Sequence, residues 1–510
     1  MCVRLYLYLK AICFFSLATL PLTGWAVGKR SILQSAFCET DITPVIGMER
    51  GGGYTKNFHT VLHDACKVRA VVLASDTTCV AIVSVDALLI RRELVQSARK
   101  RIAEITGMDA NAILVCATHS HSSGPTGLIY PGDFDHASPD VQTLAYQRSS
   151  TANPDYVKRV EEQIVAAVVE AHRRLQPCTY SVGTGREDKV SFNRRIRMNN
   201  GMTHTNPRPG NPASLGYAGP IDPDVGVIGI WNTDGKLSGC IVNFACHAVG
   251  SAPVISANYI YYIEQVIRGT FGDECVVVFT AGASGDVTPI DNLSEFARRE
   301  SEELQRFVGG RVGAETIKVL LTQPRCESAK LGFASQVKEI ARRTPSRERV
   351  HSAQALCTQE PADVGKNKWI LAKEIVILDA LIDKQPVADV EIQAIQVGPA
   401  ILLANPAELF CELGLTIKQQ SGFPVTFPVT LANGYVGYIP TETAFGPRGG
   451  GYETRLTASS NLRITAGTEI VAASVQLAGQ LTPDRLPTRP SAPPYGKNAW
   501  ELGAAVPELD

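Results

Sequence analysis

The sequence lacks an excess of charge of either sign. Its 49 basic side chains balance 50 acidic ones, and the formal net charge is −1. Charges this evenly matched create no field that would attract nucleic acid or an anionic membrane surface. We therefore expect no nucleic-acid partner.

Several chemical signatures are also missing. The 13 cysteines include no Cys-x-x-Cys pair, and several lie in or beside apolar runs, where a small buried thiol is the usual state. The pairing of any disulfide is left open. The glycine-rich segment 282–285 lacks the Lys-Ser/Thr of a phosphate-binding loop. Ser122 and Ser284 have no Gly-x-Ser-x-Gly elbow, so a serine hydrolase is the least favoured enzyme class.

The N-terminus is the one segment with a targeting pattern. Arg4 and Lys10 precede the uncharged stretch 11–22, and small residues lead to Ala26. This order predicts a signal peptide over residues 1–26 and an exported protein, secreted or periplasmic. A retained membrane anchor is the alternative, but the stretch is short and Pro21 interrupts it.

The rest of the chain has the pattern of an α/β protein. Apolar runs rich in β-branched residues alternate with amphipathic stretches, which predicts a large mixed sheet flanked by helices. We expect a charged flap or helices over 323–367 and a proline-dense extended tail over 481–510. The predicted helices are 93–106, 154–175 and 293–321, and the predicted strands are 80–85, 113–116, 240–246, 275–279, 400–404 and 428–432.

Residues able to bind a metal follow these strands. His119 and His121 come after the strand at 113–116, His247 ends the strand at 240–246, and Glu408 follows the strand at 400–404. In an extended segment residues i and i+2 face one side, so the first two imidazoles are expected to point into one cavity. Ligands bind beyond the carboxyl ends of strands in α/β sheets, and three such side chains can form a catalytic zinc site. The alternatives are a polar loop, a core imidazole and a carboxylate in the first turn of a helix.

The same segments resemble one family. Thr118-His119-Ser120-His121-Ser122-Ser123-Gly124-Pro125 is similar to the Thr-His-Thr-His-Ser-Gly-Pro motif of the neutral/alkaline non-lysosomal ceramidases. Further segments resemble that family's motifs in the same order along residues 38–477: Asn193-Arg194, Asn243 to His247, Gly285 to Pro289, Asn405 to Glu408, and Asn433 to Tyr438.

The resemblance implies a zinc-dependent amidase that cleaves an N-acylated lipid, with ceramide giving a sphingoid base and a fatty acid. It implies that Zn2+ is bound by His119, His247, Glu408 and Tyr438. It also implies catalytic roles for three more residues: His121 handles a proton, Arg194 contacts the substrate or the developing oxyanion, and Thr288 stands where the family has serine. We add Asp86, at the end of the strand at 80–85, as a candidate to orient an imidazole or carry a proton.

Three departures from the family pattern leave the substrate open. Thr288 adds a methyl group, an extra serine lies between His121 and Gly124, and only residues 478–510 follow the last matched region, too few for the family's C-terminal β-sandwich domain. The alternatives are a related zinc amidase or esterase with a non-ceramide substrate and a non-catalytic binding protein of the same fold. We expect a ceramidase-like catalytic domain over 30–480, an N-acyl amide substrate and contact with membranes at most at their surface.

Overall fold

The computed structural model describes residues 32–76, 78–250, 253–297, 299–489, 491–492 and 507–510. The predicted signal peptide therefore lies outside the described residues, as does most of the tail after residue 489. The helices are α1 Arg92–Thr106, α2 Pro139–Gln142, α3 Pro154–Arg173, α4 Tyr259–Phe271, α5 Ser301–Thr322, α6 Arg347–Cys357, α7 Pro361–Val364, α8 Lys366–Lys384, α9 Cys411–Gln420 and α10 Ala466–Ala478. The strands are β1 Gln34–Asp41, β2 Val61–Leu62, β3 Lys67–Ser75, β4 Thr78–Val85, β5 Ile113–Ala117, β6 Gln176–Arg186, β7 Phe192–Asn193, β8 Arg195–Met198, β9 Thr203–Thr205, β10 Ser214–Tyr217, β11 Asp224–Asn232, β12 Leu237–Phe244, β13 Val254–Ile255, β14 Val276–Ala281, β15 Val287–Thr288, β16 Leu331–Ala341, β17 Val387–Val397, β18 Ala400–Ala404, β19 Ala407–Leu409, β20 Val425–Val429 and β21 Gly437–Ile439.

Two mixed sheets form the centre of the fold. The larger has eight strands in the order β14-β12-β11-β6-β1-β3-β4-β5, with parallel pairing only at its two ends, β12 with β14 and β4 with β5. The smaller has the order β16-β17-β18-β20. One buried cluster joins alternate residues of both sheets, among them Ile82, Leu114 and Ile241 from the first and Leu402 and Phe427 from the second. The sheets therefore pack face to face.

Helices cover the outer faces of both sheets. The intervening residues of β4 and β5, such as Val83 and Val115, are buried with α1 and α3, and those of β12 and β14 are buried with α4 and α5. Helices α9 and α10 cover the outer face of the smaller sheet. The result is a layered mixed α/β fold with a large sheet flanked by helices, as the sequence predicts. None of the helices within the described ranges is long and apolar enough to cross a bilayer.

The curvature of the larger sheet brings distant strand ends together. Ser84 Oγ on β4 donates a hydrogen bond to the Phe279 carbonyl on β14 at 2.6 Å, although β4 and β14 lie at opposite ends of the strand order. The Thr430 amide, just after β20, donates to the Ala281 carbonyl at the end of β14 at 2.9 Å. The carboxyl ends of β5, β12, β14 and β20 therefore meet in one region.

Two short ladders in that region pair motif residues with each other. Strands β19 and β21 run parallel and place Glu408 opposite Tyr438. Strands β7 and β15 run antiparallel and place Thr288 opposite Phe192, two residues before Arg194. These pairings explain how motifs that are far apart in sequence lie side by side.

Two of the three predicted helices are confirmed closely. Helix α1 matches the prediction over 93–106, and α3 begins at Pro154 with the Asn153 Oδ1 accepting from the Tyr156 amide at 3.0 Å. The helix predicted over 293–321 begins only at Ser301. The start of the predicted helix is wrong because a local side chain bonds the backbone there. Asp291 Oδ1 accepts from the Leu293 amide at 2.8 Å, which favours a turn.

The flap or helices predicted over 323–367 are wrong for the first part of the segment, and helices are confirmed in its second part. Residues 331–341 form β16, which pairs with β17 along its full length, and α6 and α7 follow it. Most of the strand is half-buried, so its sequence shows little of the alternation that marks a strand with one buried face. The strand predicted over 428–432 is also shifted, because β20 ends at Val429 and Leu431 takes a left-handed φ of 54°.

The cysteines behave as buried hydrophobic residues. All eleven between Cys38 and Cys411 are free thiols, and most are buried. Among the described residues, the cluster of possible metal ligands at His119, His121 and His247 contains no cysteine.

Candidate metal centre

Three histidines and one glutamate lie together at the strand ends. The Nε2 atoms of His119 and His247 each lie 3.3 Å from Glu408 Oε2. His121 Nε2 is 3.3 Å from His119 Nε2, and ligand atoms of the three histidines lie within 4.8 Å of one another. Glu408, His119 and His247 are buried, with at most 5% of each exposed.

Backbone carbonyls fix the tautomers of two of these rings. His119 Nδ1 donates to the Leu88 carbonyl at 2.9 Å, and His247 Nδ1 donates to the Ser284 carbonyl at 2.7 Å. A carbonyl can only accept, so each Nδ1 carries a proton in these contacts, and in the neutral form of each ring the lone pair is on Nε2. Both lone pairs belong to the nitrogens that lie next to Glu408, as metal-binding imidazoles require.

Glu408 provides the test of whether a cation fits here. Its Oε1 accepts from the Tyr435 hydroxyl at 2.8 Å, whereas its Oε2 is buried without a hydrogen-bond partner. A buried carboxylate oxygen is costly unless it is paired. One carboxylate oxygen and two imidazole nitrogens form a donor set that suits zinc, so the residues fit the group.

The charges of the cluster are also those expected of a cation site. Burial alone would raise the pKa of Glu408, but His119 and His247 in their protonated forms outweigh it and hold that pKa well below its usual range. Burial, with Arg194 acting in the same direction, lowers the pKa of His247 to about 4. Burial and the two neighbouring imidazoles lower the pKa of His121 well below its usual range. The glutamate is therefore ionised while His121 and His247 are neutral at neutral pH.

The two histidines of the first motif converge by a different geometry from the one expected. Strand β5 ends at Ala117, and His119 takes a left-handed φ of 64°. The extended conformation predicted for this segment is therefore wrong, although the two rings do meet, with centroids 4.7 Å apart. Left-handed backbone at a non-glycine residue is strained and is found preferentially at functional sites.

Arg194 lies beside the cluster with its guanidinium group held on several sides. Nε donates to Glu453 Oε1 at 2.8 Å, and Nη2 donates to the Gly285 carbonyl at 2.6 Å and to the Tyr452 hydroxyl at 2.7 Å. Nη1 is 3.3 Å from His247 Nε2. The arginine is buried, so its charge is fixed at the edge of the candidate metal centre.

Tyr438 belongs to the same region but has another described partner. Its strand pairing places it opposite Glu408, and its hydroxyl lies 2.7 Å from the Tyr452 hydroxyl. Burial, followed by the Glu408 charge, raises the pKa of Tyr438 well above its usual range. The structure therefore brings Tyr438 to the site, and its role as a ligand remains a prediction.

Both the sequence and the fold of this chain are similar to those of known proteins. Residues 37–300 match the family model described as neutral/alkaline non-lysosomal ceramidase, N-terminal. The chain belongs to this family. Among characterised ceramidases, the neutral ceramidase of Pseudomonas aeruginosa is 28% identical over 196 residues, which are 36% of this chain and 25% of that protein. The chain thus spans only a quarter of the length of this relative in the sequence alignment.

Solved ceramidase structures share the fold along most of the chain. The crystal structure of the Pseudomonas aeruginosa neutral ceramidase has a TM-score of 0.65 at 20% identity, covering 90% of this chain and 77% of that one. A structure titled as ceramidase complexed with C2 has a TM-score of 0.64 at 19% identity, covering 91% and 77%. At these identities the likeness establishes the fold. Because Glu408 and Tyr438 lie outside residues 37–300, their inclusion in the site depends on the geometry of this chain.

Three site residues were not anticipated from the sequence. Tyr435 bonds Glu408, while Tyr452 and Glu453 both bond Arg194. The only sequence signal for the last two was the run Gly449 to Gly451, which could have been read as an ordinary loop. A Cβ on Gly449 or Gly450 would meet the carbonyl of Ala444 or Thr203, and one on Gly451 would lie 2.5 Å from Thr205 Oγ1 and 2.7 Å from Glu453 Oε2, so close packing of this loop requires glycine.

Of the two remaining candidates, Thr288 lies beside the cluster and Asp86 does not orient its imidazoles. Thr288 is buried on β15, one residue after Val287, whose carbonyl accepts from the His247 amide at 3.2 Å. Asp86 instead pairs with Arg69 at 2.8 Å. The role considered for Asp86, to orient an imidazole, is filled by the Leu88 and Ser284 carbonyls. The Asp86 carboxylate points toward Arg69 instead.

Proposed function

We propose that the protein is a zinc-dependent hydrolase that cleaves the amide bond of an N-acylated lipid, as a ceramidase does. The observation that carries the proposal is the buried Glu408 Oε2, which has no hydrogen-bond partner and lies 3.3 Å from the Nε2 atoms of both His119 and His247. Together with Tyr438, these residues would hold Zn2+. When bound, zinc polarises a carbonyl and lowers the pKa of water.

His121 is the candidate for proton transfer. Its ring is beside the cluster and its Nε2 faces His119 at 3.3 Å. A neutral imidazole can take a proton from the attacking water and deliver it to the leaving amine, because it both accepts and donates.

Arg194 and Thr288 act on the carbonyl that is attacked. When water adds to an amide, negative charge develops on the carbonyl oxygen, and a donor already fixed in place stabilises that charge without reorganisation. Arg194 is such a donor because Glu453, Tyr452 and Gly285 hold its guanidinium. Thr288 supplies a hydroxyl at the adjoining ladder, where it would bond the substrate.

A cavity next to this group offers room for the substrate. It has a volume of about 440 Å3, and Tyr54 and Tyr452 are in its wall, the latter bonded to Arg194. Its lining combines aromatic, aliphatic and polar side chains, which suits an amide with apolar substituents. Export through the N-terminal segment and transient contact with a membrane surface remain part of the proposal.

The proposal is tested by fatty-acid release from a short-chain ceramide with and without a zinc chelator. We expect turnover that chelation abolishes and that added Zn2+ restores. Turnover unaffected by prolonged chelation would refute the metal-dependent mechanism, and a complete absence of turnover would refute the ceramide assignment.

A non-ceramide amide or ester is the second candidate substrate, and Thr288 is the observation that favours it. The methyl group that distinguishes threonine from serine occupies space in a buried ladder beside the site. A panel of N-acyl amino acids, simple amides and esters compared with ceramide would decide between the two. If Thr288→Ser raises ceramide turnover while lowering turnover of another substrate, the second candidate is supported.

A further inference from the structure

Helix α8 carries a lysine buried completely within the protein. Lys373 is 0% exposed, and its Nζ donates to the Tyr54 carbonyl at 2.6 Å and to Ser149 Oγ at 2.5 Å. Glu374 Oε1 lies 3.1 Å from the same nitrogen and balances its charge. A lysine this deep in a protein is rare unless it is paired, and here it joins three separate segments of the chain.

The segment held through Tyr54 is a glycine loop that touches the metal-binding group. The Gly51 amide donates to the Ser123 carbonyl at 3.2 Å. Gly52 has a left-handed φ of 82°, and a Cβ there would lie 2.6 Å from His121 Nδ1. The loop backbone therefore packs directly on the His121 ring.

Helix α8 also contributes to the wall of the substrate cavity. Ile370 and Leu371, a turn or less before Lys373, line the cavity together with Tyr54 and Tyr452. Lys373 thus connects two walls of one cavity: the helix that carries it and the loop whose carbonyl it binds.

We propose that Lys373 is a positioning residue that holds the Gly51–Tyr54 loop against His121 and keeps the substrate cavity in its binding shape. The proposal rests on the proposed function, since it assumes that this cavity receives the substrate. The residue acts through the loop and does not touch the reacting atoms. It is not part of a Ser-Lys nucleophile pair, because Ser149 is only 3% exposed and Lys373 is not exposed at all.

The test compares Lys373→Met with Lys368→Met in the full chain. The first removes the ammonium group and leaves the Tyr54 carbonyl and Ser149 without their donor, whereas Lys368 is on the exposed part of the same helix. We expect amide hydrogen exchange in a peptide covering residues 49–59 to become about 10-fold faster in Lys373→Met only. We expect KM for a short-chain ceramide to rise about 10-fold while kcat changes by less than about 3-fold.

A structural role without positioning would give another pattern. If Lys373→Met lowers the melting temperature but leaves exchange in 49–59 and KM unchanged, the proposal is overturned. If Lys373→Met does not fold, Ser149→Ala, which removes one of the three contacts, is expected to speed exchange in the same peptide by a smaller factor, and unchanged exchange in that variant would overturn the proposal. The hydrogen-exchange measurement needs no substrate. A wild-type protein that is inactive on ceramide would therefore count against the proposed function, while the exchange rate of residues 49–59 would still test the contact between Lys373 and the loop.

Discussion

At the scale of single residues, the site is defined by which atoms have partners and which do not. His119 and His247 each use Nδ1 for a backbone carbonyl, and Glu408 uses Oε1 for Tyr435. The Nε2 atoms of the two rings both face Glu408 Oε2, which has no hydrogen-bond partner. This convergence of two imidazole nitrogens on an unpartnered carboxylate oxygen is stronger support for a cation site than the presence of histidines alone.

Arg194→Lys tests the residue proposed to stabilise the developing charge. Lysine keeps a positive charge but cannot reproduce the contacts that the guanidinium makes with Glu453, Tyr452 and Gly285 together. We expect kcat to fall about 100-fold with zinc content unchanged. Arg197→Lys, at an exposed position three residues away, is the matched control and should behave as wild type. Equal losses in both variants would contradict the role of Arg194.

The convergence of the candidate ligands could be predicted from sequence, whereas the residues that support them could not; that the candidates bind a metal stays a prediction. His119, His247 and Glu408 each follow a recognisable strand in a short motif. Tyr435, Tyr452 and Glu453 act through contacts between segments that only the folded chain brings together. For Asp86 the predicted orienting role is wrong, because a residue at a strand end can equally pair with a charge on the neighbouring strand.

At the scale of elements, the site is assembled by short ladders and glycine loops more than by the main strands. The β19–β21 and β7–β15 ladders set the register of four motif segments. The loop that contains Gly52 closes on His121 from the other side. Sequence patterns predicted six of the twelve strands in the two large sheets, one of them shifted, and two helices. Ladders of two or three residues carry no periodic signal by which they could be recognised.

Gly52→Ala tests the close approach of that loop to His121. Gly52 and Gly47 both have left-handed φ values, 82° and 92°, but an added Cβ meets His121 Nδ1 at the first position and nothing within 4 Å at the second. We expect both variants to lose about 1 kcal/mol of folding free energy from backbone strain. Only Gly52→Ala should also lower kcat/KM, by about 10-fold or more. Similar activity in the two variants, measured at equal folded fraction, would show that the loop does not position His121.

At the scale of the whole molecule, buried charges tie the larger sheet to its covering helices. Glu264 on α4 accepts from Arg69 Nη2 on β3 at 2.6 Å and from Lys67 Nζ at 2.7 Å, and Arg69 also binds Asp86 at the end of β4. Breaking such a buried network by removing one partner is costly, since the remaining charges stay buried. The network therefore fixes Asp86 at the end of β4, two residues before Leu88, whose carbonyl binds His119.

This network predicts how stability depends on pH. Burial would raise the pKa of Glu264, but Arg69 and Lys67 outweigh it and lower the pKa to about 2 from an ordinary value of 4.5. The stabilisation, roughly 3 kcal/mol, is present above pH 4.5 and is lost as the pH falls toward 2. Burial raises the pKa of Asp86, so that residue does not add to the loss. The free energy of unfolding, measured by chemical denaturation, should decline less between pH 4.5 and 2 for Glu264→Gln than for wild type. An identical decline in the two proteins would show that other groups cause the acid sensitivity.

The metal content of the purified protein is the most direct test of the whole account. We predict about one zinc per chain in the wild type. Glu408→Gln should lose it, and Glu412→Gln, an exposed glutamate on the neighbouring helix α9, should keep it. A wild-type protein that contains no metal after purification in the presence of Zn2+, or a Glu408→Gln variant that binds zinc as tightly as wild type, would contradict the central claim that His119, His247 and Glu408 form a metal site.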